Sequence, residues 1–175
     1  DGITEDVPIG IVLSITAGVQ HKNHLNRLYL GAKASYGNYF NWGFLSFDLE
    51  AGSFFKKQKT EQTTYSFEID YFSKLWSLGR KWKMRQFIKP QVVIGVNRLN
   101  TIADRVSLNE YPNFTGANGN LYFDQRNGSI PGFNGEEVGT SKYVFATQTQ
   151  FYSPWELLGF RFNPFLSLNA AILVD

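Results

Sequence analysis

Cysteine is absent from the sequence of 175 residues, and long apolar runs are absent as well. Without thiols the chain can form neither a disulfide framework nor a thiolate metal site. No run reaches the ~18 consecutive apolar residues that a membrane-spanning helix needs. Two large classes, disulfide-stabilised domains and helical membrane proteins, are therefore excluded.

Charge is scarce too. Charged residues make up 18% of the chain, against roughly 25% in an ordinary soluble domain. The net charge is only +2, and Lys and Arg form no basic stripe of the kind that binds phosphate backbones. We therefore expect no nucleic-acid partner.

Residues for catalysis or metal binding are equally few. The two histidines, His21 and His24, share one short polar stretch with no carboxylate or cysteine beside them. The sequence has no Ser/His/Asp order, Gly-rich phosphate loop or zinc-ligand spacing. We expect a protein that is not an enzyme and that holds no cofactor and no metal.

What the sequence does contain is a period-two alternation of apolar and polar residues along almost its whole length, which predicts β-strands. Helix is disfavoured because no segment carries an apolar stripe at helical spacing. Seven strands are predicted, at about 7–19, 27–37, 42–53, 63–74, 82–97, 141–153 and 159–175.

Each predicted strand has one apolar and one polar face. In the second, Leu28 and Leu30 alternate with Arg27 and Lys33; in the fourth, Phe67 and Ile69 alternate with polar residues. On the polar faces, carboxylates in two strands are flanked by bases in their neighbours, which predicts a wet interior crossed by ion pairs. The charged residues assigned to this interior are Asp48, Glu50, Glu68, Asp70, Lys33, Lys83, Arg85 and Lys89. The other interpretation is the solvated face of a soluble sheet, where such pairs contribute little.

Strand length and connections favour a membrane barrel. The predicted strands run about 11–17 residues, against ~5–6 in soluble sheets and ~9–11 needed to cross a bilayer. The predicted connections alternate in length, with 20–26, 54–62 and 98–140 on one side and 38–41, 75–81 and 154–158 on the other. Long loops opposite short turns are typical of outer-membrane barrels.

The tryptophans support the same interpretation. All four lie beside the short connections, where an amphipathic ring gains most at the level of lipid headgroups; they are Trp42, Trp76, Trp82 and Trp155. We predict an all-β, antiparallel up-and-down transmembrane β-barrel in a bacterial outer membrane, with residues 1–175 forming part of one domain and outer-membrane lipids as partners. A soluble β-sandwich that acts as a binding module is the alternative.

The segment 98–140 breaks the alternation and is rich in Asn and Gly. A loop of this length in a compact fold is usually functional or disordered. It contains Gly128-Ser129-Ile130-Pro131-Gly132-Phe133-Asn134-Gly135, and the last strand ends Leu173-Val174-Asp175. Taken alone, Pro131-Gly132 predicts an ordinary turn.

Over about 128–175 the sequence resembles the bacterial surface antigen superfamily of outer-membrane translocators, which includes the barrel-assembly insertase and the two-partner secretion transporters. Ile130, Gly132 and Phe133 match the family's aliphatic-Arg-Gly-Phe/Tyr loop motif, and Leu173-Val174-Asp175 matches the start of its strand motif. Pro131 stands where the family has arginine.

The resemblance implies a barrel that translocates or inserts proteins, with unfolded polypeptides or accessory periplasmic proteins as partners and 98–140 folded into the lumen as a lid. Seven strands cannot close a bacterial barrel of even strand number, so we expect the chain to be part of one. In the family the motif arginine is held in the lumen by the aspartate of the later strand. With Pro131 in its place, we predict that Asp175 pairs with Arg161 or Arg126. A non-translocating barrel, serving as a membrane anchor or a passive pore, is the other function left open.

Overall fold

A computed structural model describes residues 7–22, 25–57, 59–101, 104–109, 129–133, 135 and 137–175. Within these ranges no helix has the length and apolar character required to span a membrane. The described residues form ten strands: β1 (Gly10–Lys22), β2 (Leu25–Phe40), β3 (Gly43–Lys56), β4 (Lys59–Ser73), β5 (Trp76–Leu78), β6 (Trp82–Val96), β7 (Ser141–Tyr152), β8 (Glu156–Leu157), β9 (Phe160–Arg161) and β10 (Phe165–Val174).

The long strands form one antiparallel sheet in the order β1-β2-β3-β4-β6-β7-β10, so that each pairs with its neighbour along the chain. The short β5 extends β4 against β6, while β8 and β9 form a separate two-stranded ribbon. The prediction of an all-β, antiparallel up-and-down architecture is confirmed. In the part of the chain that is described, β1 and β10 are the free edges of an open sheet.

The sheet has one polar and one apolar face, because residues that pair across strands point to the same side and successive residues to opposite sides. We define the polar face by the row Lys33, Glu50, Ser66, Val93 and Lys142, which are consecutive register partners from β2 to β7. The apolar face carries the residues between them, such as Ala32, Leu49 and Tyr65.

Burial is distributed unequally between these faces. Large side chains of the apolar face are open, with Ile15 87%, Leu49 49% and Leu168 64% exposed. The few buried hydrophobic residues of the strands lie on the polar face: Phe44, Val93 and Val144. The side of the sheet that a soluble protein would cover is thus the uncovered one.

Two predicted connections are wrong. Residues 20–26 and 54–62 were expected to be loops, but β1 and β2 are separated only by residues 23–24, and β3 and β4 only by 57–58. The ladder continues through polar pairs such as His21 with Asn26, because backbone pairing does not require apolar side chains. The regular alternation of long and short connections is therefore not present, and 97–140 alone is long.

The last predicted strand, 159–175, is also wrong in its first part. Residues 162–164 are not strand, and β10 begins only at Phe165. Pro164 lacks the backbone N–H that a ladder position needs. The preceding residues instead turn back as β8 and β9, with Leu158 and Gly159 in left-handed conformations at φ of 51° and 81°.

The four tryptophans lie at one end of the sheet. Trp42 follows β2, Trp76 begins β5, Trp82 begins β6, and Trp155 follows β7. In an antiparallel sheet these alternate connections share an end. The rings of Trp82 and Trp155 meet edge to face with centroids 5.0 Å apart, which links neighbouring strand pairs there. We call this the tryptophan end.

Candidate functional site: the charged face and its covering segment

A row of charges crosses the middle of the polar face. Asp48 on β3 and Glu68 on β4 are direct register partners, an arrangement of like charges that is unfavourable by itself. Each carboxylate is held by a lysine from the strand outside it. Lys33 Nζ lies 3.2 Å from Asp48 Oδ1, and Lys89 Nζ lies 2.8 Å from Glu68 Oε1.

Hydrogen bonds complete this row. Ser35 donates its hydroxyl to Asp48, and Gln91 Nε2 donates to Glu68 Oε2 at 2.9 Å. Lys89 also reaches Asp70 Oδ1 at 3.2 Å, so that one ammonium bridges two carboxylates. The predicted pattern of bases flanking acids is thus present as ion pairs, in which lysines on β2 and β6 contact carboxylates on β3 and β4.

Three of the predicted charges lie outside this row. Glu50 is exposed, and its carboxylate has no cationic partner within 4.0 Å among the described residues. Lys83 and Arg85 lie near the tryptophan end of β6, where the Arg85 guanidinium sits 5.1 Å from the centre of the Phe72 ring. These two therefore take no part in the central network.

The described parts of the long connection, 104–109, 129–133, 135 and 137–139, form a covering segment over the other end of the polar face. Val106 pairs with Gly139 in an isolated antiparallel β-bridge, and Ile130 donates its N–H to the Leu108 carbonyl at 2.9 Å. Val106 and Leu108 are buried. Beneath them Lys142, on the polar face, is only 1% exposed and donates to the Ser107 carbonyl at 3.2 Å.

Arg98 fixes this segment to the end of the sheet. Its guanidinium donates to the Asp104 carbonyl at 2.8 Å and lies 3.3 Å from the Asp104 carboxylate. It also donates to Thr64 Oγ1 on the polar face of β4 at 3.0 Å. Both charged side chains are more than nine-tenths buried. A paired and hydrogen-bonded arrangement of this kind is what a buried charge requires.

The predicted motif residues form a turn within the covering segment. Phe133 donates its N–H to the Ile130 carbonyl at 3.0 Å, with Gly132 at φ 77°. Proline second and glycine third are the residues that a type II turn favours. Pro131 and Gly132 are exposed, and their backbone forms the ordinary turn that these two residues predict by themselves.

Asp175 pairs with an arginine other than those predicted. It accepts a charge-assisted hydrogen bond from Arg105 of the covering segment. Arg161 instead lies 3.8 Å from Glu156 across the β8–β9 ribbon. The length of β10 separates it from Asp175 by roughly 30 Å, so the predicted pairing of these two is wrong. Arg126 lies outside the described residues.

A cavity of about 590 Å³ opens between the charged row and the covering segment. Its lining carries four carboxylates, on Asp48, Glu50, Glu68 and Asp104, but only two cationic groups, on Lys33 and Arg98. At one end lie the rings of Tyr29 and Phe54, with centroids 5.0 Å apart. The Tyr29 hydroxyl passes so close to Gly31 and Gly52 that a Cβ on either would meet it within 3.0 Å.

Sequence reasoning gave no site role to Gln91, Arg98, Asp104, Arg105 and Lys142. Period-two alternation already places Gln91 on the polar face, and the same counting could have found Lys142. No such signal exists for Arg98, Asp104 and Arg105, because they lie in irregular backbone where neither period nor pairing can be read.

Comparison with protein-family models, with curated proteins and with solved structures found no match to this chain.

Proposed function

We propose that this chain forms part of a transmembrane β-barrel in a bacterial outer membrane, with its apolar face against lipid and its polar face lining the lumen. The observation that carries the proposal is the inverted burial of the sheet. Leu49, Leu168 and Ile172 are exposed on the apolar face, while the buried hydrophobic residues of the strands lie on the polar face, one end of which is under the covering segment. In water this exposure would be unfavourable by about 25 cal/mol per Å² of apolar surface, whereas lipid removes the penalty.

Strand dimensions support the same proposal. The seven long strands have 10 to 16 residues each, at or above the ~9–11 that a tilted spanning strand needs. The rings at the tryptophan end would lie at the headgroup level. Trp42 and Trp155 are 46% and 58% exposed, which suits a position that is partly in lipid and partly in water.

Within this class we propose a barrel of the translocating or inserting type. Its support is the contact between Asp175 and Arg105, because the resemblance to the surface antigen superfamily implies that an arginine of the long loop binds this aspartate. Here the arginine comes from position 105 instead of 131. The absence of arginine at position 131 favours the second candidate, a barrel that is a passive pore or an anchor.

Folding in the presence and absence of amphiphile tests the membrane assignment. We expect the full-length protein to gain β circular dichroism and heat-modifiable mobility on gels only when detergent micelles or lipid vesicles are present. A folded, monodisperse protein in plain buffer would contradict the proposal and favour the soluble β-sandwich.

Planar-bilayer recording separates the two barrel functions. A translocating barrel should show transient current blocks when an unfolded polypeptide is added on one side, with block frequency rising with polypeptide concentration. A steady conductance that ignores the polypeptide would identify a passive pore, and the absence of any conductance in correctly inserted protein would identify an anchor.

A further inference from the structure

Two short hairpins lie side by side at the tryptophan end. In the first, β5 pairs with the start of β6 across a turn at Gly79, which has φ 73°. In the second, β8 pairs with β9 across Leu158 and Gly159, and within the described chain no ladder joins this ribbon to the main sheet. The edge-to-face contact between the rings of Trp82 and Trp155 connects the two hairpins.

The first hairpin has an apolar side and a cationic tip. Trp82 lies on the apolar face, because an odd number of positions along β6 separates it from Val93 of the polar face. Its register partner Leu78, and Trp76 two residues before that, share the same side. The tip is Gly79-Arg80-Lys81, in which both cations are exposed and neither forms an ion pair with a described carboxylate.

The second hairpin carries large apolar side chains that the described chain leaves open. Glu156 and Arg161 are register partners on one side, 3.8 Å apart, so their neighbours Trp155 and Phe160 lie on the other. Phe160 is 79% exposed. At the turn, Leu158 is 91% exposed and has φ 51°, a left-handed conformation that bulky residues rarely adopt. Exposure of this kind is unfavourable in water and favourable in an apolar medium.

Charge selects the sign of the partner that covers this surface. The contact between Trp82 and Trp155 brings the apolar sides of the two hairpins together. Glu156 is the one carboxylate in the two hairpin sequences, 76–84 and 155–162, and it pairs with Arg161. The tip cations Arg80 and Lys81 therefore remain as uncompensated positive charge beside the rings. Tryptophan is favoured at the level of lipid headgroups, and basic residues beside it attract anionic headgroups.

From these observations we infer that the paired hairpins bind anionic phospholipid, with Arg80 and Lys81 against the negatively charged headgroup. The rings of Trp82 and Trp155 then lie at the boundary between headgroups and acyl chains, and Leu158 lies among the chains. The inference rests on the proposed barrel and goes beyond it, because a lipid without net charge would satisfy the apolar face equally well. A soluble anion would satisfy the cations but would leave the rings and the leucine in water.

Quenching of tryptophan fluorescence by brominated lipids tests the inference, because all four tryptophans of the chain lie at this end. The full-length protein is folded in vesicles that mix phosphatidylcholine with phosphatidylglycerol, and the bromine is placed on one lipid or the other. We expect stronger quenching by phosphatidylglycerol than by phosphatidylcholine at the same mole fraction. Arg80→Gln combined with Lys81→Gln should lower this preference by about five-fold or more, since each cation near an anionic surface contributes roughly that factor.

The matched control removes the same charge at the opposite end of the sheet. Lys57→Gln combined with Lys59→Gln, between β3 and β4, should leave the quenching unchanged. Sodium chloride should weaken the preference because the tip cations are exposed, and inorganic phosphate at equal ionic strength should act no more strongly.

Three results would overturn the inference. Equal quenching by the two lipids would leave the cations to a protein partner, equal effects of the two double variants would indicate general charge attraction, and selective loss of the preference in phosphate would indicate a site for a free anion. Circular dichroism reports folding in the same vesicles, so these results would leave the proposed barrel standing. Failure to fold in vesicles of either lipid would contradict the barrel and the inference together.

Discussion

Leu49 and Glu50 are neighbours in the chain, yet they belong to opposite environments. Leu49 points to a face where large apolar side chains stand open, and Glu50 points to one with charge pairs, a cavity and a covering segment. The two faces share one backbone ladder, so the ladder cannot be the cause of the difference. The difference comes from the side chains, because charged side chains are stable in water and the exposed apolar ones are stable in an apolar medium.

The covering segment sharpens this contrast. Val106 and Leu108 are buried against the polar face, so the segment supplies two of the five buried hydrophobic residues among the described residues. It is placed there by charged and polar contacts, namely Arg98 with Asp104 and Lys142 with Ser107. The covering segment is thus held to the polar face by hydrogen bonds and an ion pair. No segment of the described chain covers the apolar face.

The largest expected effect comes from placing charge on the apolar face. Leu30→Arg should destabilise the folded protein in lipid vesicles by about 2–4 kcal/mol, the cost of arginine near the bilayer midplane. Lys33→Ala, three residues away on the polar face, should cost far less, because it removes only a half-exposed ion pair. Urea titration of vesicle-folded protein measures both. Equal tolerance of the two substitutions would abolish the distinction between the faces.

A smaller effect is expected at the base of the covering segment. Lys142→Met keeps the approximate length of the side chain but removes the ammonium that donates to the Ser107 carbonyl. The free energy of unfolding should fall by about 1–3 kcal/mol, because that carbonyl loses its donor. Amide hydrogen exchange in 104–109 should accelerate while the central strands stay protected. Lys83→Met, at an exposed position of the same face, provides the control. Unchanged exchange in 104–109 would mean that Lys142 does not hold the segment.

The smallest effect concerns Asp175. Its ion pair with Arg105 is largely exposed on the carboxylate side, so a double-mutant cycle of Arg105→Gln and Asp175→Asn should give a coupling energy of only about 0.2–1 kcal/mol. The same cycle with Arg161→Gln should give no coupling. Coupling to Arg161 instead would restore the pairing predicted from the sequence and would contradict the observed contact between Arg105 and Asp175.

The fold was largely predictable because alternation is a property of each strand by itself. Leu28, Leu30, Phe67 and Ile69 repeat at period two, and the sheet follows from pairing neighbours. The ends of the strands were not predictable, since the ladder runs through polar pairs such as Lys56 with Lys59, where the pattern has faded. Pro164 was a signal for the break before β10 that the apolar alternation on either side of it concealed.

The candidate site divides in the same way. The row from Lys33 to Lys89 was predictable because register and parity bring those residues together. The anchoring of Arg98 to Asp104 and Thr64, and of Arg105 to Asp175, depends on how an irregular segment folds back over the sheet. That arrangement is set by tertiary contacts between residues far apart in the sequence, and no local pattern encodes it.

The most direct measurement compares the two neighbours with which the contrast begins. Because the sequence has no cysteine, Leu49→Cys and Glu50→Cys each create a single site for a nitroxide spin label in the full-length protein, reconstituted in lipid vesicles. Electron paramagnetic resonance then measures collision with oxygen, which concentrates in lipid, and with a water-soluble nickel chelate. We predict that the label at position 49 collides preferentially with oxygen and the label at position 50 with the nickel chelate. Equal access of the nickel chelate to both positions would contradict the assignment of the apolar face to lipid.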